Sequence, residues 1–116
     1  MRIGVPAEIK IHEYRVGLMP AGVRELVNGG HTVTVQTGAG LGVGCSDEDY
    51  RAAGAKLAPT AAAVFAGSDL VIKVKEPQLA ECAMLRPGQV LFTYLHLAAD
   101  RAQAEGLMKS GATAIA

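Results

Sequence analysis

Arg15, Lys75 and His96 are the side chains in this sequence whose types suit chemistry on a small acid. A guanidinium grips a carboxylate through two parallel N–H donors, while a lysine ammonium hydrogen-bonds a carbonyl oxygen and stabilises charge developing there. An imidazole, titrating near ~6.5, passes protons at neutral pH. Together they suit a 2-oxo acid. Alternation along an expected strand at 70–75 sets Val71, Lys73 and Lys75 on one face and Leu70, Ile72 and Val74 on the other, with Lys75 at the carboxyl end before Glu76 and Pro77. In an expected strand at 90–95, Val90, Phe92 and Tyr94 share a face, and His96 continues that face at the carboxyl end. Arg15 belongs to a polar connection, AEIKIHEYRVGLMP, that also carries Glu8, Lys10, His12 and Glu13. Each residue has a blander reading when taken singly. A strand-end lysine is commonly solvated, a lone histidine is commonly structural, and Arg15 is one of eleven Lys and Arg. His12 and His31 read as surface residues and Tyr94 as packing. Only the convergence of Arg15, Lys75 and His96 on one crevice points to chemistry.

Convergence requires a scaffold. Short apolar runs alternate with helix-like segments, the pattern of a parallel sheet with right-handed crossover helices. The fold class expected is α/β, a three-layer Rossmann-like or flavodoxin-like domain. Strands are expected at Arg2–Val5, 32–37, 70–75, 90–95 and 112–115. Helices should open at Pro20, ending at Asn28-Gly29-Gly30, and after Ser46, Thr60, Pro77 and Ala98. The alanine-rich TAAAVFAG reads as a helix lying close on the sheet. The run ATAIA at 112–116 reads as a strand that stops at the last residue, so the chain is expected to be a truncated piece of a longer polypeptide.

With 116 residues, 50% hydrophobic and 19% charged, the chain has the make-up of one globular domain, residues 1–116, and with 4% aromatics its core must be aliphatic. Eleven basic residues balance eleven acidic ones without a one-signed run, which argues against nucleic acid as a partner. Cys45 and Cys82 are too few for a disulfide framework or a zinc site, and a reducing cytoplasm suits them. No uncharged stretch reaches the ~20 residues of a membrane span, and MRIGVPAEIK does not read as a signal segment.

Gly38, Gly40, Gly42 and Gly44 invite a dinucleotide-loop reading, which their spacing refuses. G-x-G-x-x-G from Gly38 would need glycine where Val43 stands, and from Gly40 where Cys45 stands. About 20 residues on, where the fingerprint has an acidic residue, Leu57 and Ala58 lie instead. The loop is expected to lie against another domain or subunit.

Several motifs in order now carry a resemblance: R-I-G-V-P-x-E-x-K at the start, E-Y-R-V around Arg15, P-A-G-V from Pro20, G-H-x-V-x-V-Q-x-G-A-G from Gly30, D-x-x-Y-x-x-A-G-A from Asp47, K-V-K-E-P at 73–77 and L-F-T-Y-L-H-L-A at 91–98. The chain resembles the N-terminal part of alanine dehydrogenases along its whole length. The resemblance implies NAD-dependent oxidative deamination of L-alanine to pyruvate and ammonia by a cytoplasmic homo-oligomer, a hexamer in that family. By motif match, Arg15 would bind the substrate carboxylate, Lys75 would contact the carbonyl or amino end, and His96 would be the acid/base. NAD would be bound mainly by a second domain beyond Ala116, where a further catalytic aspartate is also expected, so these residues alone are not expected to turn over.

Two rivals stand beside this reading. The α subunit of the proton-translocating nicotinamide nucleotide transhydrogenase is similar in sequence, but its matching segments usually lack the second lysine of K-V-K-E-P and the histidine of T-Y-L-H-L-A. Lys75 and His96 thus favour the deaminating enzyme. The other rival is a non-catalytic half-domain that associates with itself through its unfinished edge strand.

Overall fold

The computed structural model of the chain describes residues 1–10, 12–93 and 109–115. Six parallel strands form one sheet: β1 Arg2–Val5, β2 Thr32–Gln36, β3 Lys56–Ala58, β4 Leu70–Ile72, β5 Val90–Phe92 and β6 Thr113–Ile115. Their order across the sheet is β3-β2-β1-β4-β5-β6. The chain therefore steps outward from β1 to β3, crosses back, and lays β4 on the other side of β1. Reversal of strand order between β1 and β4 opens a crevice at the carboxyl ends of those two strands.

The helices are α1 Pro20–Asn28, α2 Asp47–Ala52, α3 Ala61–Ala66 and α4 Leu79–Cys82. Because crossovers are right-handed, reversing the direction of travel sends the later helices to the opposite face. Two cores result. Ile3, Val5, Val33 and Val35 pack with Val23 of α1 and Tyr50 of α2, whereas Phe65 of α3 packs with Val71, Leu91, Cys82 and Leu85. Most of these residues are aliphatic, as the composition requires.

Local chemistry explains the helix ends. Pro20 opens α1 where its missing N–H costs no bond, and α1 closes in a Schellman turn: Gly30 takes φ 93°, Gly30 N donates to Val27 O, and His31 N donates to Leu26 O. At α2, Ser46 Oγ accepts from Asp49 N while Asp49 Oδ2 accepts from Ser46 N, a reciprocal cap. Thr60 caps α3 through Ala63 N. The alanine-rich helix does lie close on the sheet. A Cβ on Gly4 of β1 would fall 2.0 Å from Ser68 Oγ and 2.8 Å from Val64 Cγ1.

Two expectations need correction. The strand expected at 70–75 ends at Ile72, because the next amides leave the ladder: Val74 N and Lys75 N donate to the Glu8 carboxylate. Strand β3 was not expected: its three residues lie in no longer apolar run such as those that carry β4 and β5, and only Gly54 and Pro59 punctuate it. The glycine loop, expected against another domain or subunit, has one side packed on this chain and leaves Leu41 and Val43 exposed. Its 3₁₀ turn, Leu41–Val43, brings Gly42 so near Tyr14 that a Cβ would lie 2.5 Å from Tyr14 O, and Gly40 is hemmed in by Tyr50 and Cys45. The strand expected at 90–95 is described only to Phe92, and Tyr94, His96 and the helix expected after Ala98 lie outside the described residues.

Candidate substrate-binding site

Pro6 ends β1, and Ala7 N turns aside to Gln36 Oε1 at 2.9 Å, so the following loop runs over the carboxyl edge of the sheet. A turn from Glu13 N to Lys10 O shapes it, with His12 at φ 63° between. The far end is anchored by the fully buried Tyr50, whose hydroxyl donates to Leu18 O at 2.8 Å. Burial pushes this phenol up to about 12.

Within the loop, Arg15 and Glu13 form a two-pronged pair: Nη2 to Oε1 at 2.9 Å and Nε to Oε2 at 3.0 Å, with Arg15 N donating to Oε2 at 2.9 Å. The Glu13 side chain is only 4% exposed, the Arg15 side chain 62%. Hydrogen bonding from Arg15 holds the Glu13 carboxyl down at about 2 against the opposing effect of desolvation, and the positive charge of Lys75 contributes in the same direction. Glu13 is thus paired with Arg15 and feels the Lys75 charge at longer range. Lys10 pairs with Glu76 at the rim.

Arg15 and Lys75, expected at one crevice, line the same polar cavity of about 410 Å³ with Lys10, His12, Glu13 and Tyr14. Arg15 also belongs to the wall of a neighbouring, mostly apolar cavity of about 400 Å³ floored by Ile72, Val74, Phe92 and Thr93. The two hollows lie where the loop after β1 crosses the carboxyl ends of β4 and β5.

Lys73, expected on the same strand face as Lys75, is buried. Its ammonium bonds Glu8 Oε1 at 2.9 Å and Lys75 O at 2.7 Å and lies 3.4 Å from Glu81 Oε1; all three side chains are 1% exposed. Glu81 is displaced upward by burial, partly countered by Lys73. Sequence reasoning did not single out Glu8, Glu81 or Thr93. A lysine inside an apolar run signals that a buried carboxylate must exist, but spacing alone does not say which. His12 is exposed, as expected, whereas His31 is half-buried, with Nδ1 buried and lacking a partner among the described residues.

Among the described residues no His, Cys, Asp or Glu cluster is suited to a metal, and no helix is long and apolar enough to cross a membrane. Cys45 and Cys82 are both unoxidised, and burial raises the Cys82 thiol.

Fold and site thus define a doubly wound α/β domain with a cationic crevice at its switch point. The sequence pattern described as "Alanine dehydrogenase/PNT, N-terminal domain" matches residues 4–116, and the chain belongs to that family. It is 57% identical over all 116 residues to an alanine dehydrogenase of Halomonas elongata, of which it covers 31%. A solved L-alanine dehydrogenase superposes with TM-score 0.96 at 53% identity, covering 100% of this chain and 32% of that one. A transhydrogenase from Sinorhizobium meliloti superposes at 0.92 with 28% identity, over 100% of this chain and 34% of that one. The chain spans about a third of the length of the relatives it matches.

Proposed function

We propose that these residues form the N-terminal substrate domain of a longer two-domain enzyme, an NAD-dependent alanine dehydrogenase. The reaction converts L-alanine, water and oxidised NAD to pyruvate, ammonium, reduced NAD and a proton. Supporting it above all is the shared cavity of Arg15 and Lys75, together with relatives named alanine dehydrogenase at 57% identity. The transhydrogenase reading has less support, at 28% identity.

In this reading Arg15 receives the substrate carboxylate. Glu13, ionised down to a pH of about 2, holds the guanidinium plane in place by gripping it from within the loop. Lys75 hydrogen-bonds the carbonyl oxygen of pyruvate and opposes the negative charge that gathers there when ammonia adds to C2. His96 is assigned the proton transfers as water enters and ammonia leaves. Neither ammonium nor guanidinium needs to change protonation state in these steps. Both act by fixed charge.

The described residues do not themselves fit the dinucleotide. The glycine loop after β2 lacks the G-x-G-x-x-G spacing, and its Gly40 and Gly42 are closed against Tyr50, Cys45 and Tyr14 and so are not bare backbone for a pyrophosphate. NAD is accordingly assigned mainly to the second domain of the longer enzyme, and no step here is routed through it. A cytoplasmic homo-oligomer completes the reading.

The test is spectrophotometric. The full-length protein should reduce NAD when given L-alanine, and Arg15→Ala should weaken pyruvate binding in calorimetric titration. Absence of alanine-dependent NADH formation by the full-length protein overturns the proposal.

A further inference from the structure

Lys75 lies three residues beyond Ile72, the last residue of β4, so nothing in a β ladder fixes the direction of its side chain. Its backbone is nevertheless bonded at both polar atoms. Lys75 N donates to Glu8 Oε1 at 3.1 Å; Lys75 O accepts from Lys73 Nζ at 2.7 Å and from the Thr93 hydroxyl at 2.8 Å. The preceding residue is held in the same way, Val74 N by Glu8 Oε2 at 3.0 Å, while Val74 O, 3.0 Å from Thr93 Oγ1, shares with Lys75 O the single proton of that hydroxyl. These fasteners come from three separate places: the loop after β1, the end of β4, and the residue after β5. Thr93 is 3% exposed, and the Glu8 and Lys73 side chains are 1% exposed.

We propose that Thr93, Glu8 and Lys73 are positioning residues for Lys75, locking its main chain so that its ammonium meets Arg15 and Glu13 across one polar cavity. The assignment of Lys75 to substrate rests on the function proposed above; the locking itself does not. A buried charged pair serves here because its donors and acceptors reach backbone atoms that a hydrophobic pair leaves unsatisfied. Thr93 is the cleanest member to alter. Valine keeps its shape and removes only the hydroxyl, whereas loss of Glu8 strands the buried Lys73 charge.

The experiment uses the full-length protein as wild type, Thr93→Val and Thr93→Ser. Acetic anhydride labelling, read by mass spectrometry, compares Lys75 with the exposed Lys56 as internal reference. We expect Thr93→Val to raise Lys75 labelling at least threefold relative to Lys56, and Thr93→Ser to restore it. With pyruvate and NADH, Thr93→Val should raise the KM for pyruvate about tenfold while leaving that for NADH within twofold, and serine should again rescue. Unchanged Lys75 labelling in Thr93→Val, or no rescue by serine, overturns the positioning role. Changed and rescued labelling in a protein that shows no turnover supports the lock and overturns the proposed function alone.

Discussion

Glu8 and Lys73, 65 positions apart, form an ion pair of 2.9 Å with both side chains 1% exposed. The pair joins the loop after β1 to the segment after β4 at the point where the strand order reverses. Of the two lysines in K-V-K-E-P, Lys73 is structural and Lys75 faces the cavity.

That division gives the first prediction. Lys73→Met leaves the Glu8 carboxylate buried without its cation, which should cost about 3–5 kcal/mol. Lys75→Met, half-exposed and without a buried ion pair, should stay within about 1 kcal/mol of wild type. Urea unfolding of the two variants measures both. Equal losses would refute the division of labour.

Arg15→Lys keeps the charge and removes the fork, and the two cations are not interchangeable at a two-pronged site. Charge-assisted hydrogen bonds contribute about 1.5–3 kcal/mol, so pyruvate affinity should fall roughly 10- to 100-fold. Calorimetric titration reads the loss. Stability should fall less than affinity, since lysine keeps a cation beside Glu13 while losing the second prong of the fork.

The Glu13–Arg15 pair predicts a pH dependence. Glu13 titrates at about 2 in the folded chain against an ordinary value of 4.5, so the unfolded state binds the proton first as pH falls. The stability it confers is therefore fully present above about 4.5 and is lost progressively as pH drops towards 2. Glu13→Gln should remove that slope. Chemical denaturation of both proteins across pH 2–6 gives the difference curve, and parallel curves would exclude the pair as its source.

Gly4→Ala should destabilise through contact. The new methyl would meet Ser68 Oγ at 2.0 Å and Val64 Cγ1 at 2.8 Å, and Ser68 is itself tied to Val64 O at 2.6 Å. Overpacking of this kind costs about 1–3 kcal/mol or more. Gly30→Ala provides the contrast: nothing lies within 4 Å of its Cβ position, and only the left-handed φ of 93° resists alanine, at about 1 kcal/mol. Thermal melts should rank Gly4→Ala below Gly30→Ala.

Periodicity and punctuation alone located most of the scaffold. Pro20, the Asn28-Gly29-Gly30 stop, Ser46 and Thr60 act within one turn of chain, so their effect is legible in any window containing them. The same local rule placed β1, β2, β4 and β5 and marked Arg15 and Lys75 as residues of the carboxyl edge. Strand β3 escaped it for want of a longer apolar run, and the early end of β4 for want of a local cause. What ends β4 is Glu8, whose carboxylate takes the amides of Val74 and Lys75 away from any neighbouring strand. Sorting Lys73 from Lys75, pairing Glu13 with Arg15, and setting Tyr14 against Gly42 likewise follow from proximity rather than sequence. Charges and backbone donors separated by tens of residues become partners only after the strands are ordered. A low-dielectric interior then makes each buried charge take the partner that the fold brings within reach.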